Sequence, residues 1–103
     1  MRVELLYWDG DPDYMVARQR LVEVLTEDAF ETTIQMIAVS TRADAELLAF
    51  RGSPSIRLDG QDIEPTAERI GLGLRRPLPS KDLIRAAVER ARGWSHGRRQ
   101  PAD

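Results

Sequence analysis

Three aspartates alternate with other residues between Asp9 and Asp13, in the run D-G-D-P-D, and their carboxylates are the side chains best suited to chemistry. Oxygen ligands at this spacing are typical of Mg²⁺ and Ca²⁺ sites. A calcium loop that begins at Asp9 requires glycine and glutamate where this chain has Tyr14 and Arg20. The run lacks the rest of a metal-binding motif, so we assign no metal site to it.

Asp11, the middle aspartate, has two interpretations that the sequence leaves open. As a carboxylate at the start of a helix, it could act as a general base or bind a cationic group. It is also typical of an N-cap residue, which stabilises a helix by about 1 kcal/mol. Its position directly before Pro12 favours the cap.

The composition excludes several kinds of chemistry. None of the 103 residues is cysteine, so the chain has no thiol nucleophile, no dithiol redox centre, no thiolate metal ligand and no disulfide. The single histidine, His96, has no ligand-type neighbour at a useful spacing. The motifs G-x-G-x-x-G and G-K-S/T, which bind nucleotides, are also absent. We therefore predict no catalytic residue and no cofactor.

The charge and hydropathy of the chain limit its partners and its location. A formal net charge of −2 gives no basic field that would attract nucleic acid or an anionic membrane. No stretch approaches the roughly 18 consecutive apolar residues of a membrane span. Glu4 interrupts the apolar run at the N-terminus, which argues against a signal peptide. We expect a cytoplasmic protein that binds neither nucleic acid nor membrane.

Hydrophobic periodicity predicts four strands and three helices, and Asp59-Gly60 between two short extended segments is typical of a hairpin. The predicted strands are 3–8, 32–39, 55–58 and 62–64, and the predicted helices are 12–28, 43–50 and 80–92. In the order β-α-β-α-β-β-α, the first two strands should be parallel through a right-handed crossover. We predict an α/β domain over residues 1–92, with a mixed four-stranded sheet flanked by helices, and a polar tail over residues 93–103.

Three segments resemble the thioredoxin-like family, whose minimal, glutaredoxin-size architecture has this same order of elements. Residues 7–14, Y-W-D-G-D-P-D-Y, resemble the segment in which an aromatic residue precedes Cys-x-x-Cys. Residues 50–56, F-R-G-S-P-S-I, closely resemble the segment that carries a cis-proline before the third strand. Residues 71–76, G-L-G-L-R-R, are similar to a loop of small thioredoxin-like proteins, including some associated with alkylmercury lyases.

The resemblance implies a thioredoxin-like fold without the redox activity of the family. Asp11 stands in the place of the nucleophilic cysteine, Tyr14 in that of the second cysteine and Leu74 in that of the loop cysteine. Thiol–disulfide exchange requires a thiolate, so the activity does not carry over. In the family, the backbone before the cis-proline pairs with an extended peptide, which implies this role for Ser53, next to Pro54.

The candidate binding surface lies beside residues 71–76 and comprises Trp8, Asp11, Tyr14, Ser53 and Pro54. Tyr7 adds a third aromatic ring, but neighbours on a strand point to opposite faces, so either Tyr7 or Trp8 should be core. We predict a redox-inactive module that binds an unknown protein or peptide. The edges of the sheet also allow a homodimer.

Two further interpretations stay open. A cysteine-free enzyme could activate the thiol of a substrate such as glutathione, as glutathione transferases with a thioredoxin-like fold do. Tyr14 or Ser53 would then be the group to test. Arg51, Arg75 and Arg76 could form an anion-binding rim, or they could be solvated surface residues.

Overall fold

The computed structural model describes residues 1–28, 32–64 and 74–99, with side chains described up to Gly93. Along these residues the elements are β1 (Val3–Tyr7), α1 (Tyr14–Glu27), β2 (Ile34–Ala38), α2 (Arg42–Leu47), β3 (Ser55–Leu58), β4 (Gln61–Asp62) and α3 (Lys81–Arg99). None of the helices in this part of the chain is long and apolar enough to cross a membrane.

The strands form one mixed sheet in the order β2-β1-β3-β4. β1 is parallel to β2, with Val3 opposite Ile34 and Tyr7 opposite Ala38. It is antiparallel to β3, which is in turn antiparallel to β4. A parallel pair needs a crossover connection, and α1 lies in the one between β1 and β2. The prediction of an α/β domain with a mixed four-stranded sheet and helices is confirmed.

Apolar side chains cover both faces of the sheet, since Leu5 and Leu6 point to opposite faces and both are completely buried. Leu5 belongs to the larger cluster, to which α1 and α3 contribute residues such as Leu21 and Ile84. Leu6 belongs to a smaller cluster of four buried residues that includes Ala45 of α2. α1 and α3 therefore pack on one face of the sheet and α2 packs on the other.

Asp59 and Gly60 form the two-residue turn between β3 and β4, as the sequence predicts. Their φ angles are 51° and 85°. A type I′ hairpin turn needs positive φ at both central positions, and Asp-Gly is one of the pairs that tolerate it. Leu58 pairs with Gln61 across the turn. β4 therefore begins one residue before the predicted strand 62–64 and is only two residues long.

The helix boundaries differ from the prediction at the site and at the tail. α1 begins at Tyr14 rather than at residue 12, and Asp13 rather than Asp11 is its N-cap. α3 continues through Gly93 to Arg99, so no helix end marks the predicted boundary after residue 92. Residues 100–103, and residues 65–73 of the connection before α3, lie outside the described residues.

Candidate functional site

Asp11 is a buried carboxylate between β1 and α1, with 2% of its surface exposed. A turn from Trp8 brings it there, because the Asp11 N–H donates to the Trp8 carbonyl oxygen at 2.9 Å. Its Oδ1 accepts the N–H of Asp13 at 2.9 Å, which closes an Asx turn in front of the helix. Asp11 therefore organises the start of α1 from two residues before the N-cap, and the prediction that it is itself the N-cap is wrong.

Ser53 is completely buried and connects this turn to the loop before β3. Its hydroxyl donates to Oδ2 of Asp11 at 2.6 Å and accepts the N–H of Trp8 at 3.0 Å. A buried carboxylate needs such donors, because burial without them is costly. The Ser53 hydroxyl both donates and accepts inside the protein, so it is not available to a substrate thiol.

The 74–76 segment runs beside Ser53 and forms an isolated parallel bridge, with Arg75 opposite Ser53. The Ser53 N–H donates to the Leu74 carbonyl oxygen, and the Arg76 N–H donates to the Ser53 carbonyl oxygen, both at 2.9 Å. Both the N–H and the carbonyl oxygen of Ser53 are therefore hydrogen-bonded within the chain. Ser53 is not open to an extended peptide in the way that the resemblance implies.

Gly52 allows the 74–76 segment to approach so closely. Its φ is 123°, a conformation that side-chain-bearing residues rarely adopt. A Cβ atom at this position would lie 2.7 Å from Cγ of Arg76 and 3.3 Å from the carbonyl oxygen of Leu74. The peptide bond between Ser53 and Pro54 is cis, and Pro54 is buried.

Arg75 is the exposed member of the site, with 55% of its side chain accessible. Its Nη2 lies 3.3 Å from Oδ2 of Asp13 and 3.7 Å from Oδ1 of Asp11. The guanidinium partly offsets two negative charges that already lie at the favourable end of the helix dipole. Asp9 is exposed. The part of the chain that the structure describes contains no group of three or more acidic or histidine side chains arranged to hold a metal ion.

Arg76 is not a surface residue. The predictions that it belongs to an anion-binding rim or to the solvated surface are therefore both wrong. Its side chain is 7% exposed, and its Nη1 lies 2.6 Å from Oδ2 of Asp62. It also donates to Oγ of Ser55 and to the carbonyl oxygen of Glu64. Neighbours in an extended segment point to opposite sides, so Arg75 reaches the start of α1 while Arg76 reaches β4.

The aromatic residues of the site lie at the boundary between the core and the surface. The rings of Tyr7 and Tyr14 stack with centroids 4.2 Å apart and planes 11° apart. Trp8 packs against the smaller core cluster, and a Cβ atom on Gly10 would lie 2.5 Å from its indole ring. Tyr7 and Trp8 are both half-buried. The expectation that one of them is core therefore does not hold, whereas a half-exposed position agrees with the expectation for the other.

Three of the five predicted binding residues are buried and belong to the interior of the site: Asp11, Ser53 and Pro54. Trp8 and Tyr14 are half-buried. Of these five residues, a ligand can therefore contact only Trp8 and Tyr14 directly. The three buried residues hold the surrounding surface in place.

Two exposed apolar side chains stand in the first turn of α1, and neither is among the binding residues predicted from the sequence. Met15 is 52% exposed and Val16 is 41% exposed. Their exposure could have been predicted from helical spacing. Ala17 and Leu21 face the core, and Met15 falls on another side of the helix. Leu47 of α2, at 83%, is the other large apolar side chain that is exposed within the described ranges.

Residues 93–97 also match the G-x-S-x-G pattern of serine hydrolases, with Ser95 at the nucleophile position. That nucleophile requires a sharp turn from a strand into a helix. The backbone of α3 is helical from Lys81 to Arg99, so Ser95 lies inside a helix. In this helical context the pattern gives no support for a hydrolase nucleophile.

Comparison of the chain with protein-family models, with curated proteins and with solved structures gave no match in any of the three.

Proposed function

We propose that this chain is a thioredoxin-like domain without redox activity that binds a segment of another protein. The thioredoxin-like assignment is supported by the strand order β2-β1-β3-β4 with β3 antiparallel to β1. It is also supported by the packing of α1 and α3 on one face and α2 on the other. The loop that carries Pro54 is hydrogen-bonded through Ser53 to the start of α1, which agrees with the resemblance.

The residues at the start of α1 support the proposed lack of redox activity. The chain has no cysteine. Asp11 stands in the place of the nucleophile, and its carboxylate already accepts hydrogen bonds from the Ser53 hydroxyl and from the N–H of Asp13. A carboxylate held in this way fixes the turn and offers no substitute for a thiolate.

The observation that carries the binding proposal is the exposure of Met15 and Val16 directly after this fixed turn. An exposed apolar pair on a rigid support suits protein recognition, because little conformational freedom is lost on binding. Tyr14, half-buried in its stack with Tyr7, borders the same turn. We infer that the bound segment places apolar side chains against Met15 and Val16.

The mode of binding follows from the 74–76 segment. Because this segment is hydrogen-bonded to the backbone groups of Ser53, a partner cannot add a strand beside Ser53 without displacing the 74–76 segment. We therefore propose side-chain contacts at the first turn of α1, with Arg75 at the border as a half-exposed cation.

Peptides selected from a random phage-displayed library against the folded protein provide the probe. We expect selected peptides to bind the wild type, and the double variant Met15→Ser, Val16→Ser to lose at least about tenfold in affinity, equivalent to about 1.4 kcal/mol. Leu47→Ser is the matched control, since it removes an exposed apolar side chain from the other face of the sheet. Failure to select any peptide, or equal loss in the control, would refute the proposal.

A further inference from the structure

The two edges of the sheet are protected to very different degrees. The β4 edge is only two residues long, and one of them is the charged Asp62, paired with Arg76 at 2.6 Å. Short length and charge are the usual means by which a protein prevents a sheet edge from pairing with another chain. The β2 edge has five residues, I-Q-M-I-A, with no charge, proline or glycine. The uncharged run extends from Thr32 to Thr41, in a chain of which 31% is charged.

From this contrast we infer that β2 is the contact surface of a homodimer, in which β2 of one copy pairs antiparallel with β2 of a second copy. The two sheets would join into one of eight strands. This inference rests on β2 alone and does not depend on the peptide-binding surface proposed at the start of α1.

The backbone of β2 has hydrogen-bonding groups to offer a second copy. Among the described strands, β2 pairs only with β1. The Val39 N–H donates to the Tyr7 carbonyl oxygen at 2.8 Å, so the backbone groups of Val39 point towards β1. Backbone groups alternate along a strand. Those of Ile34, Met36 and Ala38 therefore point outward.

An antiparallel pair centred on Met36 uses all of these outward groups. It places Met36 opposite Met36 of the second copy, and Ile34 opposite Ala38 of the second copy. Each of these opposed pairs exchanges two hydrogen bonds in an antiparallel ladder. No other register aligns all five residues of β2 with all five of the second copy.

The side chains of β2 also suit pairing with a copy of themselves. Ile34 and Met36 are half-buried at the margin of the larger core cluster, and Ile37 is half-buried at the margin of the smaller one. A two-fold axis perpendicular to the sheet extends each apolar layer into the same layer of the second copy. Because the strand carries no charge, this contact brings no like charges together, although the chain has a net charge of −2.

Sedimentation velocity over a concentration series tests the dimer. We expect the wild type to dimerise reversibly, and Gln35→Lys to weaken the dimer at least about tenfold, because the ammonium faces Ile37 of the second copy. Gln35 is exposed, so this change leaves the fold intact. Gln61→Lys is the matched control on the β4 edge and should dimerise like the wild type. A monomeric wild type, or a dimer that Gln35→Lys does not weaken, would overturn the inference.

Single cysteines test the register, because the natural chain has none. In the proposed dimer the Cα atoms of Met36 and its copy are about 5.5 Å apart, which is within the range of a disulfide. Met36→Cys should therefore form a covalent dimer on mild oxidation. Ser40→Cys should not, because its copy lies eight residues along the strand, about 27 Å away. Equal cross-linking of both variants would contradict the register.

Discussion

Arg75 and Arg76 are neighbours in the chain, and each pairs with carboxylates, but in different surroundings. Arg76 is 7% exposed and forms a 2.6 Å pair with Asp62, which is itself 10% exposed. Arg75 is 55% exposed and lies 3.3 Å from Asp13 and 3.7 Å from Asp11. The same residue type therefore has a structural role in one place and borders an accessible surface in the other.

The difference shows how the 74–76 segment is held. Its backbone is fixed to Ser53, so the alternation of an extended chain directs one arginine inward and the other outward. A buried ion pair depends on both partners, because removal of one leaves a desolvated charge. An exposed pair is screened by water and contributes little. We expect the energetic cost of changes around the segment to follow this order.

The largest effect is expected for Arg76→Met. Asp62 would lose its cation, and Ser55 and the carbonyl of Glu64 would lose a donor, so the free energy of unfolding should fall by about 3–5 kcal/mol. Urea unfolding at neutral pH measures it. The double variant Arg76→Met, Asp62→Asn removes the orphaned charge and should recover part of the loss. A loss below about 1 kcal/mol would place the pair among weak surface interactions.

Ser53→Ala should have the next largest effect. It leaves the Asp11 carboxylate without one donor and the Trp8 N–H without an acceptor. We expect the free energy of unfolding to fall by about 1–3 kcal/mol, measured in the same way. Ser40→Ala, at an exposed serine, is the control and should change stability by less than about 0.5 kcal/mol. Equal stability of the two variants would mean that the buried hydroxyl contributes nothing.

Gly52→Ala and Gly93→Ala should have opposite signs. At Gly52 the positive φ and the 2.7 Å contact with Arg76 make a Cβ unfavourable, by about 1–3 kcal/mol. At Gly93, inside α3, nothing lies within 4 Å of the added atom, so alanine should stabilise the helix by about 0.5–1 kcal/mol. Thermal unfolding of both variants checks this, and a stabilising Gly52→Ala would show that the 74–76 segment does not approach as described.

The smallest effect is expected for Arg75→Ala. Asp11 keeps its hydrogen bonds from Ser53 and from the N–H of Asp13, so the loss should stay below about 1 kcal/mol. The difference from wild type should shrink further as salt is added, because the pair is half-exposed. Urea unfolding at two salt concentrations measures it. A loss as large as that of Arg76→Met would mean that the buried Asp11 depends on this cation.

The sequence predicts the parts of the fold that depend on local signals. β3 has the predicted bounds 55–58, and the hairpin at Asp59-Gly60 follows from turn chemistry alone. The start of α1 is predicted two residues early, because the Asp-Pro pair that is typical of a helix cap here forms an Asx turn before the helix.

The candidate site depends mainly on contacts between distant residues, which the sequence pattern does not contain. Asp11 could be selected as important, but its partner Ser53 lies 42 residues further along the chain. The burial of Arg76 depends on Asp62, and the occupied backbone of Ser53 depends on the 74–76 segment. The exposed Met15, in contrast, follows from helical spacing once the inward face of α1 is known.

Hydrogen exchange at the amides of Ser53 and Arg76 tests most directly whether the chain itself occupies the place where a peptide would add a strand. Both N–H groups are hydrogen-bonded to the opposing segment, so we expect slow exchange in the free protein. We expect the same slow exchange when a selected peptide is bound at Met15 and Val16. Fast exchange in the free protein, or loss of protection at Arg76 on binding, would contradict this and would mean that the peptide displaces the 74–76 segment.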